Sequence, residues 1–533
     1  MGFEKFSFEK IFKKESINSH VPETGDPFVD VYKLLKLNNA FSQIETKPEL
    51  LKREKAPIGP DEVFDPRQEM SKLLHWDQRL KGIEPESQVS KQLLENERLR
   101  KKEALARFKE KLVYQQKGLS YLESSVLQNL YQNPEWSKKD LISFAQKFEK
   151  DYHLGLSEEQ FSKIETLIGE YYEAHRQISN LFNNYPSAEG LFNYFFDQPP
   201  RDKIFICFSP LSLGFVCASA DDFRITVQKA GYEGQLLDRV VRTTVGFSPP
   251  EIAGKSKVPL ILINGWLIKK RLVKSKEKRV KENGKEQKIV VTKEELYNLK
   301  SPFWQFIAQV VYPHEERHIL DKLFRRAEIK SKLEEALKQQ SEDNLESLKL
   351  ETDKLVSELE IKREFSKYLK DFEASGRKEI SDGYFRWLFD GYFRWRLPSI
   401  LEQAKSELLA YAQESPANLR DPLKRYKLSL WLSLSEEEGG LYDPLVIEKS
   451  VLSSLITRDA EKASKVFNLL TDWAKTYKHY IRQGLESFYQ LTSELKYPPS
   501  VAAALLRPLP LPLWPKTVSR IKEIEKPPMK KSK

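Results

Sequence analysis

The chain has little cysteine: two residues, Cys207 and Cys217, among 533. Both lie in short apolar runs, residues 204–208 and 213–218, which predict buried strands carrying free thiols. So few thiols exclude a disulfide framework and a cysteine-rich zinc site. This usage is typical of a reducing compartment, so we expect a cytoplasmic protein.

The sequence also lacks a hydrophobic run long enough to cross a bilayer. Its most apolar stretch, residues 501–515, contains Arg507 and four prolines after it, which is too short and too interrupted for a span. Residues 1–14 alternate Phe with Glu and Lys and have no apolar core of a signal peptide. We therefore expect no membrane span and no targeting segment.

A protein-wide excess of positive charge is absent too, although the formal net charge is +10. Residues 269–288 hold ten Lys or Arg against three Glu, and residues 516–533 hold seven against two. These two segments account for the excess, so a general nucleic-acid surface is not expected. Each segment either contacts nucleic acid or an acidic partner locally, or is a solvated element without a partner. The first segment, with its Asn283-Gly284 turn, predicts a β-hairpin.

What the sequence does contain is His-Glu-Glu-Arg-His at residues 314–318, an HExxH pattern. On a helix, His314 and His318 lie one turn apart on one face, where both imidazoles can bind one divalent ion. A catalytic zinc site needs a third protein ligand and a water of lowered pKa. Glu315 then has the position of a general base.

The surrounding residues predict a helix with an interruption. Ser301 and Pro302 are a helix-start signal, and apolar residues follow at helical spacing. Pro313 lacks an amide donor, so we expect a kink or a new helix start just before His314. The alternative to a metal site is a surface helix with two exposed histidines.

A second helix is predicted from a capping box at residues 399–402 to about residue 413. It places Glu407 on the inward, apolar stripe, and Glu402, Lys405 and Ser406 on the opposite side. A buried carboxylate needs a partner, which is either a metal ion or an arginine such as Arg317 or Arg386.

HExxH together with a later helix that reads Glu-Leu-Leu-Ala-Tyr at residues 407–411 resembles the zincin metallopeptidases of the gluzincin type. The resemblance implies that zinc is bound by His314, His318 and Glu407, with Glu315 as general base. It also implies that Tyr411 is a hydrogen-bond donor near the site, and that the substrate is a peptide or protein. A strand at residues 258–264 would be the edge strand that holds an extended substrate.

Asp321 is the competing acidic residue, one turn beyond His318. It is an alternative third ligand, a residue that orients a ligand histidine, or a partner of Arg325. We favour Glu407 as the third ligand.

The predicted fold class is α+β and predominantly helical, with a zincin-like core of a small sheet, the HExxH helix and the Glu407 helix. Strands are expected at residues 203–208, 214–218, 223–227 and 258–264. A short helical stretch is expected at residues 28–37, and helices at residues 95–113 and after Ser157, where a capping box begins.

The predicted organisation has seven regions. They are a charged, partly disordered region (1–85), a helical region (86–198), the first part of the metal core (199–325), a coiled-coil or helical-hairpin insertion (326–376), the second part of the core (377–415), a helical region (416–497) and a basic, proline-rich, polyproline-like tail (498–533). A tandem repeat, Asp-Gly-Tyr-Phe-Arg-Trp at 382–387 and 390–395, predicts either a duplicated helical segment beside the site or an aromatic cleft lining.

These patterns favour a cytoplasmic zinc-dependent hydrolase, most plausibly a metallopeptidase. Two alternatives from other classes are a non-catalytic helical scaffold with a zincin-like core and a nucleic-acid-associated factor that uses the two basic segments.

Overall fold

The structure is a computed structural model, and most of the residues it describes fall in seven ranges. The ranges are 27–31, 56–81, 88–133, 135–249, 257–270, 301–339 and 482–525, with some gaps inside them; residues 401–402 and 405–410 and a few isolated positions are also described. The chain divides into a first unit (Met1–Gln43, Glu173–Glu486, Pro510–Pro512) and a second unit (Ile44–Tyr172, Ser487–Leu509, Leu513–Lys533).

The described residues are mostly helical. The helices are α1 (Pro66–Lys81), α2 (Gln88–Gln132), α3 (Lys138–Tyr152), α4 (Glu158–Asn184), α5 (Ala188–Phe196), α6 (Ala220–Lys229), α7 (Gly234–Thr243), α8 (Pro302–Phe306), α9 (Tyr312–Gln339), α10 (Pro499–Leu506) and α11 (Trp514–Glu525). Two π-helical turns cover Ile307–Val311 and Gln490–Glu494, and a 3-10 turn covers Leu511–Leu513.

A small mixed sheet lies in the first unit. Its strands are β1 (Phe28–Asp30), β2 (Ile204–Phe208), β3 (Leu213–Cys217), β4 (Gly246–Phe247) and β5 (Leu260–Asn264), in the order β1-β2-β3-β5-β4. The pairs β1-β2 and β3-β5 are parallel, and β2-β3 and β5-β4 are antiparallel. The predicted α+β class with a predominance of helix is confirmed at this coarse level.

The three central strands of the sheet are buried. All residues of β2, β3 and β5 are buried, which is why these strands read as continuous apolar runs without polar alternation. Phenylalanines of α5 pack edge-on against Phe215 of β3. Cys207 and Cys217 are buried free thiols, as their apolar surroundings predict.

The strand predicted at residues 223–227 is wrong, because these residues lie in α6. Ser219 caps that helix by accepting the amide proton of Asp222, and the Asp222 carboxylate in turn accepts from the amides of Arg201 and Asp202. The β-branched composition favours a strand, but the cap and its hydrogen bonds outweigh this weak propensity.

The expectation of an edge strand at residues 258–264 is also wrong. Strand β5 lies between β3 and β4 and pairs with both. Within the described part of the chain, the sheet ends at the two-residue strand β4 on this side.

Two further expectations are corrected. Phe28–Asp30 pairs with β2 as a parallel strand, although its sequence predicts a helix, because pairing with a buried strand overrides local propensity. In the expected Pro-rich basic tail, Pro499–Leu506 and Trp514–Glu525 are α-helices, since their prolines stand at helix starts where no amide donor is needed; within the expected polyproline-like residues 506–515, Leu511–Leu513 forms a 3-10 turn.

The second unit is organised around α2, which spans 45 residues and contains the helix predicted at 95–113. The capping box predicted at Ser157 forms: the Gln160 amide donates to the Ser157 hydroxyl, and the Ser157 amide donates to the Gln160 side chain. No helix in the described residues has both the length and the apolarity to cross a membrane.

Candidate metal centre

The site helix begins where the sequence predicts and passes Pro313 without a break. Pro302 is the first residue of α8, the π-helical turn follows, and α9 continues from Tyr312. The amide of Tyr312 donates to the carbonyl of Ile307, five residues earlier. This wider turn accommodates a proline that would clash with the carbonyl one α-helical turn back, and α9 begins just before the motif, which is one of the two expected arrangements.

His314, His318 and Glu407 converge. The two Nε2 atoms are 3.3 Å apart, and each lies 3.4 Å from an oxygen of the Glu407 carboxylate. The ligand atoms all lie within 4.8 Å of one another. These three residues can hold a metal ion, and the structure brings them together as the resemblance to the gluzincin type implies.

The cluster is largely buried. The side chains of His314 and His318 are 13% and 14% exposed, and that of Glu407 is 6% exposed. The alternative of a surface helix with exposed histidines is therefore wrong. Burial alone would raise the pKa of Glu407, but His318 and His314 hold it well below its usual range, so the carboxylate is in its ligand form.

Glu315 lies beside the cluster and is buried. Desolvation raises the pKa of its carboxyl group, against the opposing effect of the neighbouring histidines. A Cβ atom placed on Gly246 of β4 would lie 3.4 Å from the Glu315 Cγ and 2.6 Å from the Val311 Cγ1. The Glu315 side chain therefore packs against strand β4, and the close approach of Val311 is what requires glycine at position 246.

Lys322 ties the chain after β4 to the site helix. Its Nζ donates to the carbonyls of Ser248 and Pro249, at 2.9 and 3.3 Å. Burial lowers the pKa of Lys322 to about 8. Strand β4 is thus fixed to α9 at Gly246 by close packing and just beyond its end by hydrogen bonds.

Glu316, the first of the two charged residues inside the motif, has hydrogen-bond partners on a neighbouring turn. Glu316 accepts hydrogen bonds from Ser209 and from Ser212, the latter at 3.1 Å, in the turn between β2 and β3. Ser212 also contacts the Tyr312 hydroxyl at 2.7 Å. These hydrogen bonds were not predicted from the sequence, although a Ser-Pro-Leu-Ser turn between two apolar runs indicates a polar contact.

Asp321 does not compete with Glu407 as a ligand. One of its oxygens lies 3.0 Å from Arg317 Nη2, and the other accepts from the Ser406 hydroxyl at 3.1 Å. Arg317 is therefore the partner of Asp321 and not of Glu407, and Arg325 pairs with Glu402 instead.

Ser406 is a site residue that sequence reasoning placed on the wrong side of its helix. Its Oγ lies 2.9 Å from His318 Nδ1. On the helix that carries Ser406 and Glu407, the side opposite the apolar stripe was expected to face solvent. At Ser406 this side faces α9 instead.

Several predictions fall outside the described residues. They are Tyr411 as a donor, Arg386 as an ion-pair partner, the coiled-coil insertion beyond Gln339, the aromatic repeat and the basic hairpin; residues 326–339 of that insertion belong to α9.

Comparison of the chain with family models, with curated proteins and with solved structures gave no match. Any assignment of activity therefore depends on the motif and on the geometry of the site.

Proposed function

We propose that this chain is a zinc-dependent hydrolase, and specifically a metallopeptidase. The observation that carries the proposal is the convergence of His314, His318 and Glu407 with Glu315 beside them. Two imidazoles and a carboxylate are a ligand set of catalytic zinc sites, in which three protein ligands leave one position open.

The separations of the candidate ligand atoms are compatible with a bound zinc ion. A tetrahedron with metal–ligand bonds of about 2.05 Å has edges of about 3.3 Å. The two Nε2 atoms are 3.3 Å apart, which matches one such edge, and each ring lies 3.4 Å from a different oxygen of the Glu407 carboxylate. When neither Nε2 atom carries hydrogen, lone pairs face one another in a buried space, and a cation between them removes that cost.

The proposed division of roles follows from the positions. His314, His318 and Glu407 hold the ion, and bound zinc supplies a water with a pKa lowered from about 15.7 towards roughly 7. Glu315 accepts the proton of the attacking water at a carboxylate oxygen and returns it to the leaving group. Burial raises the pKa of the Glu315 carboxyl group, which favours proton uptake at this position.

The position of β4 favours a peptide as the substrate. Gly246 and Phe247 form the last strand of the sheet on this side within the described residues, directly against Glu315. An extended peptide can add to such an edge through main-chain hydrogen bonds, which brings a peptide bond next to the proposed base.

The test compares the zinc-loaded wild type with Glu315→Gln on a mixed peptide library, with products read by mass spectrometry. Glu315→Gln is expected to retain zinc and to lose about 10²- to 10⁴-fold in rate, the contribution of a positioned general base. The matched control is Glu328→Gln, the same change at an exposed position of α9, which should leave the rate unchanged.

Stoichiometric zinc without hydrolysis of any peptide would contradict the peptidase proposal. That result would favour a scaffold that retains a metal site.

A further inference from the structure

Ser406 links two ligand-bearing helical segments by a chain of hydrogen bonds. Its Oγ lies 2.9 Å from His318 Nδ1 and donates to Asp321 Oδ2 at 3.1 Å. The other oxygen of Asp321 lies 3.0 Å from Arg317 Nη2. Asp321 and Arg317 are both buried.

The proton positions in this chain follow from what each group can donate. The Asp321 carboxylate next to the Arg317 guanidinium is ionised and can only accept. The single hydroxyl proton of Ser406 is therefore given to Asp321. Ser406 can then only accept from His318, so Nδ1 of that ring must carry hydrogen.

A neutral imidazole with hydrogen on Nδ1 has its lone pair on Nε2. Nε2 is the atom of His318 that faces His314 and Glu407. The tautomer that Ser406 and Asp321 select is thus the one that can bind a metal ion at the cluster.

We propose that Ser406 and Asp321 are positioning residues that set the tautomer and orientation of His318, with Arg317 holding Asp321 in its ionised, accepting form. The same hydrogen bond aligns Ser406, and hence the adjacent Glu407, with α9. The part of the inference that concerns metal affinity rests on the proposed zinc centre. The tautomer itself does not depend on it.

Because Arg317 contacts Asp321, one substitution at Asp321 should reverse the direction of the hydrogen bonds that run through Ser406 to His318. In Asp321→Asn the amide oxygen must face the guanidinium, because an NH₂ group there would oppose another donor. The amide nitrogen then faces Ser406 and donates to its oxygen. The Ser406 proton turns to His318, so the ring hydrogen moves to Nε2.

The experiment uses the full chain labelled with ¹⁵N-histidine. Nuclear magnetic resonance of the metal-free protein reports the ring tautomer, and His318→Gln assigns the signal among the seven histidines. The wild type is expected to show hydrogen on Nδ1, and Asp321→Asn to show it on Nε2. Ser406→Ala is expected to lose the preference, and Ser406→Thr, which keeps a hydroxyl, to restore it.

Zinc titration gives a second readout. Ser406→Ala and Asp321→Asn are expected to weaken zinc binding about 10- to 100-fold, as the loss of an orienting partner does, while one zinc still binds at saturation. The control is Ser331→Ala, a buried serine on α9, which should change neither readout.

The outcomes separate the two proposals. Hydrogen on His318 Nε2 alone in the wild type, or an unchanged tautomer in both Ser406→Ala and Asp321→Asn, would overturn this inference even if zinc binds. A wild type with hydrogen on Nδ1 that binds no zinc would support the positioning role and overturn the proposed function.

Discussion

Two largely buried carboxylates in this molecule are neutralised in different ways. Glu123, in the second unit, pairs with the guanidinium of Arg507 and accepts from the Tyr171 hydroxyl at 3.0 Å. Glu407, in the first unit, faces two imidazole nitrogens at 3.4 Å. A guanidinium carries a permanent charge, whereas a neutral imidazole carries none.

The difference shows what an ion pair with a permanently charged partner looks like in this chain. Arg507 supplies both the charge and the donors that Glu123 needs. Of the two arginines expected as alternative partners of Glu407, Arg317 pairs with Asp321, and Arg386 lies outside the described residues. The described partners of Glu407 are the two imidazole rings, and together the three residues can hold a metal ion.

The largest change in stability is expected from breaking the ion pair of the second unit. Arg507→Met leaves the Glu123 carboxylate buried without its cation, which costs about 3–5 kcal/mol in the free energy of unfolding. Chemical denaturation measures the loss, which should be equal with and without zinc. A loss that zinc relieves would contradict the separation of the two clusters.

A smaller change is expected from metal binding. At free zinc about 100 times its dissociation constant, the wild type should gain about 2.7 kcal/mol over the metal-free protein. Arg507→Met should show the same gain, and Glu407→Gln should show none. An equal gain in Glu407→Gln would mean that zinc binds elsewhere.

The smallest change concerns the contact between β4 and the site helix. Gly246→Ala places a methyl group 2.6 Å from the Val311 Cγ1, so we expect a cost of about 1–3 kcal/mol and slower hydrolysis with zinc retained. The matched control is Gly169→Ala in α4, where the added methyl meets only the flexible end of Lys138 at 3.2 Å. That substitution should stabilise the helix by up to about 1 kcal/mol.

The inward positions of His314, His318 and Glu407 on their own helices were predictable from helical periodicity, whereas the meeting of Glu407 with the two histidines was implied only by the family resemblance. Four-residue spacing places His314 and His318 on one face, and an apolar stripe turns Glu407 inward. Both rules act within a single helix, where the geometry is regular.

The surrounding residues were not predictable because they depend on how elements meet. A helical wheel gives the angle of Ser406 but not the position of α9, which the serine faces. Strand β4 has two residues, too few for a periodic pattern. The residues of α6 have strand-like composition, and only the hydrogen bonds around Ser219 and Asp222 make them a helix.

The most direct test of the account is the zinc content of the purified full chain, measured by plasma mass spectrometry on the wild type, His318→Ala, Glu407→Gln and Glu123→Gln. The account predicts about one zinc per chain in the wild type and in Glu123→Gln, and none in the other two. A folded wild type without zinc, or zinc retained by Glu407→Gln, would contradict it.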